Sequence, residues 1–498
     1  MNLIRDSHEF ARFLGLGFIV SFAACVEKLQ SAERPELTRL FPSGGQAGTI
    51  VEVEATGKFP VWPISAWSDS ESIQWSVEEK SGKLKANINA AAKPGLHWLR
   101  LYHPSGATAI RPFLVSDVIE QSELEPNNRL AEANAIAKLP SCFHGILGKR
   151  GDVDLVTLTL TAGQRLVATV VAAKKLQSPL DANVQLLDKE GFVLAENLDR
   201  FGLDPGLEFI APLESTYYIR VFGFPATPDS TIAFGGGADW IYRLRLQVGD
   251  SPLFGTDEEN PLIDGRTANV IEEGHAATSD TALAVQIPSW TRGRIFKPGL
   301  QNFVRFRVSA GLQYRLQVVA REAGSELDPT LSILDSAGKQ LSQLDDVEND
   351  RDPVLDWKAP ADGEYIAVVK DFHLRGGPNF DFDLMVTVLS PDFKASIISD
   401  LIQCTVGKEI ELQVKVDREL DFAGEIDIGL ENPLDGVECA IVKSVHGGET
   451  AKKITLRIKS SVAYQGPIAI IAKATDGTMI RFASSEAGKP IWLSCVAE

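Results

Sequence analysis

The chain has 498 residues, too many for one core, and domains of ordinary size would divide it into roughly three to five units. Apolar residues make up 44% and mean hydropathy is near zero, which excludes a disordered chain and a bundle of membrane spans. A formal charge of −18, with Lys and Arg clustered only in pairs such as Lys149-Arg150, opposes nucleic acid and anionic lipid as partners.

At the N-terminus, Arg5 and Arg12 precede an apolar run, Phe13–Val26, and charge returns at Glu27 and Lys28. The run suits the core of a signal peptide and falls short of the about 20 residues that a spanning helix needs. Residues 1–32 are therefore expected to direct export. Phe22-Ala23-Ala24-Cys25 resembles a bacterial lipobox, with Phe22 where an aliphatic residue is usual. Cys25 is either a lipidation site, which would give a membrane anchor, or an incidental residue of a discarded signal.

Beyond the signal the chain reads as strands. Thr49–Glu54, Asp154–Leu160, Arg165–Val171, Tyr314–Val319, Glu409–Val416 and Ile454–Ile458 alternate apolar and polar residues, and Gly, Pro, Asn and Asp punctuate them. Helical patterning is confined to one short candidate, Arg129–Ala137. The expected fold class is all-β, with tandem antiparallel β-sandwiches.

One unit is written twice. Ser178-Pro179-Leu180-Asp181 matches Ser325-Glu326-Leu327-Asp328, and each is followed by an apolar strand ending in Leu187-Asp188 or Leu334-Asp335. Gly191 or Gly338 then turns the chain at a position suited to φ > 0. Asp204-Pro205 or Asp352-Pro353 starts the next turn, and Tyr217 or Tyr365 precedes a closing strand. The Tyr can bury its ring while its hydroxyl caps a loop. Each match builds the fold, and the repeat by itself carries no chemistry.

Glu123-Leu124-Glu125-Pro126-Asn127-Asn128, Gly148–Asp154, Ala162-Gly163-Gln164, Ser178–Asp188 and Asp204-Pro205 occur in this order. The set resembles the bacterial pre-peptidase C-terminal domain, a jelly-roll-like sandwich often attached to secreted peptidases. Pro35–Ser116 is similar to immunoglobulin-like domains, and Phe393–Glu498 reads as a further sandwich. The expected organisation is a signal (1–32), an Ig-like sandwich (33–117), two copies of the repeat (118–250 and 251–392) and a C-terminal Ig-like sandwich (393–498). It implies an exported, periplasmic, cell-envelope or extracellular protein.

Catalytic patterns are missing from the sequence. None of the seven histidines sits in HExxH, and there is no GxSxG elbow. Phe234-Gly235-Gly236-Gly237-Ala238 lacks the Lys-Ser/Thr and helix of a phosphate loop. The chain is expected to be a non-enzymatic binding or scaffold protein contacting protein or polysaccharide. A secreted peptidase-associated protein or divergent hydrolase is the alternative.

The candidate site is a cation site in the first copy, where Glu123, Glu125, Asn127, Asn128, Asp152 and Asp154 supply closely spaced oxygens. Calcium takes about six to eight such ligands. The resemblance implies the same ion, since collagen-binding modules of this broad family hold calcium through an acidic N-terminal linker. The bland reading is a capped linker and a shaped turn. In the second copy Glu272-Glu273-Gly274-His275 and Gln301-Asn302-Phe303 occupy these places, so that copy is expected not to bind. Trp62, Trp67 and Trp75 are either core residues or a partner-binding cluster. Cys404, Cys439 and Cys495 allow one disulfide and one odd thiol, or buried free thiols like Cys142.

Overall fold

The computed structural model describes residues 33–225, 233–249, 268–346, 352–485 and 488–497. The export segment and Cys25 lie outside the described residues. The regular structure of the described chain is nearly all strand, and no helix in it is long and apolar enough to cross a membrane. Strand formation follows the period of two: Gln313–Val319 buries Tyr314, Leu316 and Val318 while the residues between them stay half-buried. Each fully buried aliphatic side chain of this kind contributes about 1.5–3 kcal/mol. The apolar faces collect into separate hydrophobic clusters, centred on Leu99 and Phe113, Phe143 and Leu244, Phe306 and Leu384, and Leu456 and Leu493.

Between residues 119 and 248 two five-stranded sheets pack face to face. One runs in the order Ile119–Ser122, Ser141–Ile146, Ile241–Val248, Arg165–Val171, Gly206–Ile210. The other runs Asn134–Ala135, Asp154–Leu160, Ser215–Gly223, Ala182–Leu187, Val193–Asn197. Between residues 269 and 389 the same two strand orders recur, element for element. The interior pairs are antiparallel, as expected. The entering edge strand of each sheet departs from that expectation and pairs parallel, because the chain crosses from one sheet to the other before it first turns back.

The repeated residues act alike in both units. Asp204 accepts hydrogen bonds from the N–H groups of Ala172, Ala173 and Lys174, and Asp352 from those of Ala320, Arg321 and Glu322. The Tyr217 hydroxyl donates to the Leu213 carbonyl, and Tyr365 to that of Ala361. Gly191 and Gly338 take φ of 92° and 80° in turns held by Asp188 and Asp335.

The Arg129–Ala137 helix does not form. Only Leu130–Glu132 makes one 3₁₀ turn, followed by the strand Asn134–Ala135. The Asn134 side chain bonds both the N–H and the C=O of Leu124, and this outward fastening competes with helix continuation. A four-residue helix at Ala173–Leu176 was not anticipated.

Among the described residues, the sandwiches touch at junctions that include the following. The first meets the second through Leu114 against Leu176 and Ile241, and through Arg111, whose Nη1 donates to Gln177 Oε1 at 3.1 Å. The second meets the third through Phe201 packed on Gly324 and a Lys174–Glu322 ion pair at 3.8 Å. The first also reaches the last: buried Arg100 pairs with Asp400, and the Trp67 ring lies 5.5 Å from that of Trp492. Trp67 is thus a junction residue, whereas Trp75 packs inward on Phe113. Cys404 and Cys495 form a disulfide, leaving Cys142 and Cys439 as free thiols.

Candidate cation site

Glu123 leaves the edge strand Ile119–Ser122 with its N–H bonded to the His144 carbonyl, so its position is fixed by the backbone. Its Oε2 accepts the Ile146 N–H at 2.9 Å. Glu125 Oε2 caps the Asn127 N–H at 3.0 Å, and the Asn127 carbonyl accepts the Leu155 N–H. Asp154 opens the strand Asp154–Leu160 and is buried, with Oδ2 accepting the Tyr242 hydroxyl at 2.7 Å. Gly145 makes room for that tyrosine, since a Cβ there would collide with its ring.

The structure brings three of the six expected residues to one point. Glu123, Glu125 and Asp154 each offer an oxygen, and these oxygens lie within 4.8 Å of one another. Asn127 adds the most telling feature. It is 0% exposed, and neither its Oδ1 nor its Nδ2 has a hydrogen-bond partner. Asp154 Oδ1 is likewise buried without a donor. An orphaned amide of this kind costs about 1–3 kcal/mol unless something completes it.

The other two residues are engaged elsewhere. Asp152 takes the Gly148 N–H on Oδ2 at 2.7 Å and the Asn128 amide on Oδ1 at 3.1 Å. They shape the Gly148–Asp152 turn beside the site, and the Asp152 charge bears on Asp154. The Phe234–Ala238 stretch packs on this turn, with the Gly237 N–H donating to the Leu147 carbonyl.

Glu125 is exposed, Glu123 half-buried and Asp154 buried, and crowding of the latter two raises their affinity for protons. Burial, and then the neighbouring Asp154 charge, push Glu123 up to about 9. Burial also lifts Asp154 to about 7, against the Tyr242 hydrogen bond that favours its ionised form. An all-oxygen donor set of this kind suits a hard cation such as calcium better than a metal preferring nitrogen or sulfur, and a bound cation would compete with protons for it.

The second repeat lacks this donor set. The Ile271 N–H bonds the Arg292 carbonyl as Glu123 bonds His144, so Ile271 stands in the place of Glu123. Ala276 takes the role of Asn127, and Phe382 fills the place of Tyr242 against Gly293. Asn302 pairs with Val369 as Asp154 pairs with Val221. The equivalent of Asp152-Val153-Asp154 is therefore Leu300-Gln301-Asn302, one residue earlier than the Gln301-Asn302-Phe303 expected from the sequence.

A second polar cluster was not legible from motifs. Glu120 bonds Ser116 Oγ, Arg243 and His144 Nε2, the last at 2.7 Å. It contains Ser, His and a carboxylate, yet the hydroxyl and imidazole each bond the carboxylate rather than one another. That is a fastening between the first and second sandwiches and lacks the nucleophile–base contact of a catalytic triad. Burial lowers the proton affinity of His144, opposed by Glu120.

No family model matches the chain. It is 36% identical over 99 residues to a probable subtilase-type serine protease of Deinococcus radiodurans. That stretch is 20% of this chain and 14% of the protease, so the chain spans a small part of the curated relative it matches. Among solved structures, the pre-peptidase C-terminal domain of a collagenase from Bacillus anthracis is similar at 13% identity and a TM-score of 0.18, over 21% of this chain and 94% of that one. A Clostridium perfringens structure combining an M60 catalytic domain with two CBM51 domains has 11% identity and a TM-score of 0.18, over 72% of this chain and 46% of that one.

Proposed function

We propose that the chain is an exported, non-catalytic binding or scaffold protein of the bacterial cell envelope or exterior. On this reading two pre-peptidase C-terminal-like sandwiches, 118–250 and 251–392, stand between immunoglobulin-like ones and present surfaces to protein or polysaccharide. The first repeat holds a calcium ion through Glu123, Glu125, Asp154 and the Asn127 amide oxygen. The observation that supports this most is the orphaned, fully buried Asn127 beside three converging carboxylates. A bound ion would neutralise the carboxylates and tie the 123–128 segment to the sandwich. Asn128 and Asp152 act as positioning residues, holding the Gly148–Asp152 turn in place.

Calorimetric titration of the full chain with calcium tests the reading. One ion per chain is expected, in the extracellular range of about 10⁻⁴–10⁻³ M. Asp154→Asn should abolish it and Asn302→Ala should leave it intact. No binding, or two equivalent ions, overturns the site. A second reading, a peptidase-associated protein, draws on the stretch shared with the probable subtilase-type protease. Proteolysis of a peptide library by the pure chain, lost on a single His→Ala change, would replace the non-catalytic reading with that one.

A further inference from the structure

In the second sandwich the strands Val193–Asn197 and Gly206–Ile210 each end a sheet, on the side opposite the entering strands. Among the described residues neither has a further strand beside it. Val193–Asn197 runs from the Leu187 end toward Val184, and Gly206–Ile210 returns from Thr169 toward Arg165. The Gly206 N–H bonds the Asn197 side chain where the two strands adjoin. Phe192, Val193 and Leu194 therefore stand at the same end of this side as Ile210 and Leu213, with about 10 Å of core between the two sheets. All five are exposed, Phe192 by 70% and Ile210 by 65%. Along an edge strand every other residue turns its N–H and C=O away from the sheet, so an apolar edge invites another strand.

The third sandwich has the same two edges, and its first edge carries the same bulge one residue in. There Lys339 and Gln340 stand in the places of Phe192 and Val193, and Lys358 in the place of Ile210. A lysine on an edge guards against pairing with another chain, because the added strand would bury its charge. One repeat thus guards its edges, and the other presents apolar side chains at the same positions. The charges beside the apolar edge are answered within the sandwich. Glu196 accepts from Asn183 and Gln185, each at 2.7 Å, and Arg165 pairs with Glu208.

Charge selects the partner. The chain carries −18, so two copies repel across most of their surface and meet most readily where charge is absent or internally paired. An apolar edge is also its own complement. Two copies of Val193–Asn197 lying antiparallel about a two-fold axis at Ala195 set Glu196 of one opposite Leu194 of the other, and no like charges face each other. We propose that two copies of this chain pair through this side of the second sandwich, Val193–Asn197 against Val193–Asn197, with Phe192 and Ile210 packed at the margins. The pairing does not depend on the cation site.

Sedimentation of the full chain at micromolar to millimolar concentration tests this, and a monomer–dimer equilibrium is expected. Phe192→Lys with Ile210→Lys gives this edge the residues that the third sandwich carries at the same positions, so the fold accommodates them. The double change should weaken dimerisation by about tenfold or more, the loss of an interface anchor. Leu341→Lys, on the equivalent edge of the third sandwich, should leave it intact. A chain that stays monomeric throughout would overturn the proposal and leave the edge to a foreign strand. A dimer undiminished by the paired lysines, or one lost on Leu341→Lys, would overturn it as well.

Discussion

The Tyr242 hydroxyl donates to Asp154 Oδ2 at 2.7 Å, while Asp154 Oδ1 has no donor among the described residues. Phe382 occupies the equivalent place in the second repeat, where Asn302 replaces the acid. Tyr242→Phe keeps the ring and removes the donor. In the absence of divalent cation it should destabilise the strand Asp154–Leu160 by about 1–3 kcal/mol, the cost of leaving a buried charged acceptor short of a partner. Hydrogen exchange of that strand measures it, and unchanged protection would mean the hydroxyl does not support Asp154.

The pH dependence of the same cluster has a definite sign. Glu123 and Asp154 are raised from ordinary values of 4.5 and 3.8 to about 9 and about 7. A carboxyl raised on folding binds its proton more tightly in the folded state. Its stabilisation is complete below the unfolded value and is lost as pH rises through the folded one. Without cation, the first repeat should therefore weaken from about pH 4 upward, with the loss finished above about pH 9. Calcium should flatten this decline and release protons on binding near pH 7. Calorimetry in two buffers of different ionisation enthalpy reads the proton release. A chain that is more stable at pH 9 than at pH 5 without cation would contradict the assignment.

The repeat was legible because its signals are local. Asp188 and Gly191, or Asp335 and Gly338, specify a turn within a few residues, and the structure uses them in that way. Asp204-Pro205 also read as a turn, but its main partners are N–H groups about 30 residues earlier, brought near only by the packed sandwich. The cation cluster was half legible: Glu123, Glu125 and Asp154 meet, whereas Asp152 faces Gly148 and Asn128. Spacing places oxygens near one another and cannot say which way each carboxylate turns. Tyr242 could not be found, because its partner lies in a strand far away in sequence.

Asp204 and Asp352, both buried, should be among the costliest loop positions in the two repeats. Each gathers three consecutive N–H groups of a turn. Asp204→Ala and Asp352→Ala should each destabilise their own sandwich by about 2–3 kcal/mol, as expected for charge-assisted bonds to buried amides. Asn at either site keeps one acceptor oxygen and should cost less. Limited proteolysis around 172–174 and 320–322 distinguishes the two repeats. An alanine change without effect at either site would show that the turn holds itself.

Arg100 and Asp400 close the chain upon itself. Arg100 is 0% exposed, its Nη1 donates to the Thr108 carbonyl, and its guanidinium lies 5.6 Å from the Trp492 ring. Trp492 in turn is flanked by Trp67 and Tyr102 from the first sandwich. Asp400→Ala leaves a buried guanidinium without its counter-charge, at a cost of about 3–5 kcal/mol. That exceeds what a small aromatic contact supplies, about 0.5–1.5 kcal/mol per ring pair. The junction should then open, and small-angle scattering should show a larger radius of gyration. Replacing both partners, Arg100→Met with Asp400→Leu, removes the stranded charge and should keep the junction shut, because the desolvation cost disappears together with the attraction. An Asp400→Ala chain as compact as the parent would mean that the aromatic packing alone holds the first and last sandwiches together.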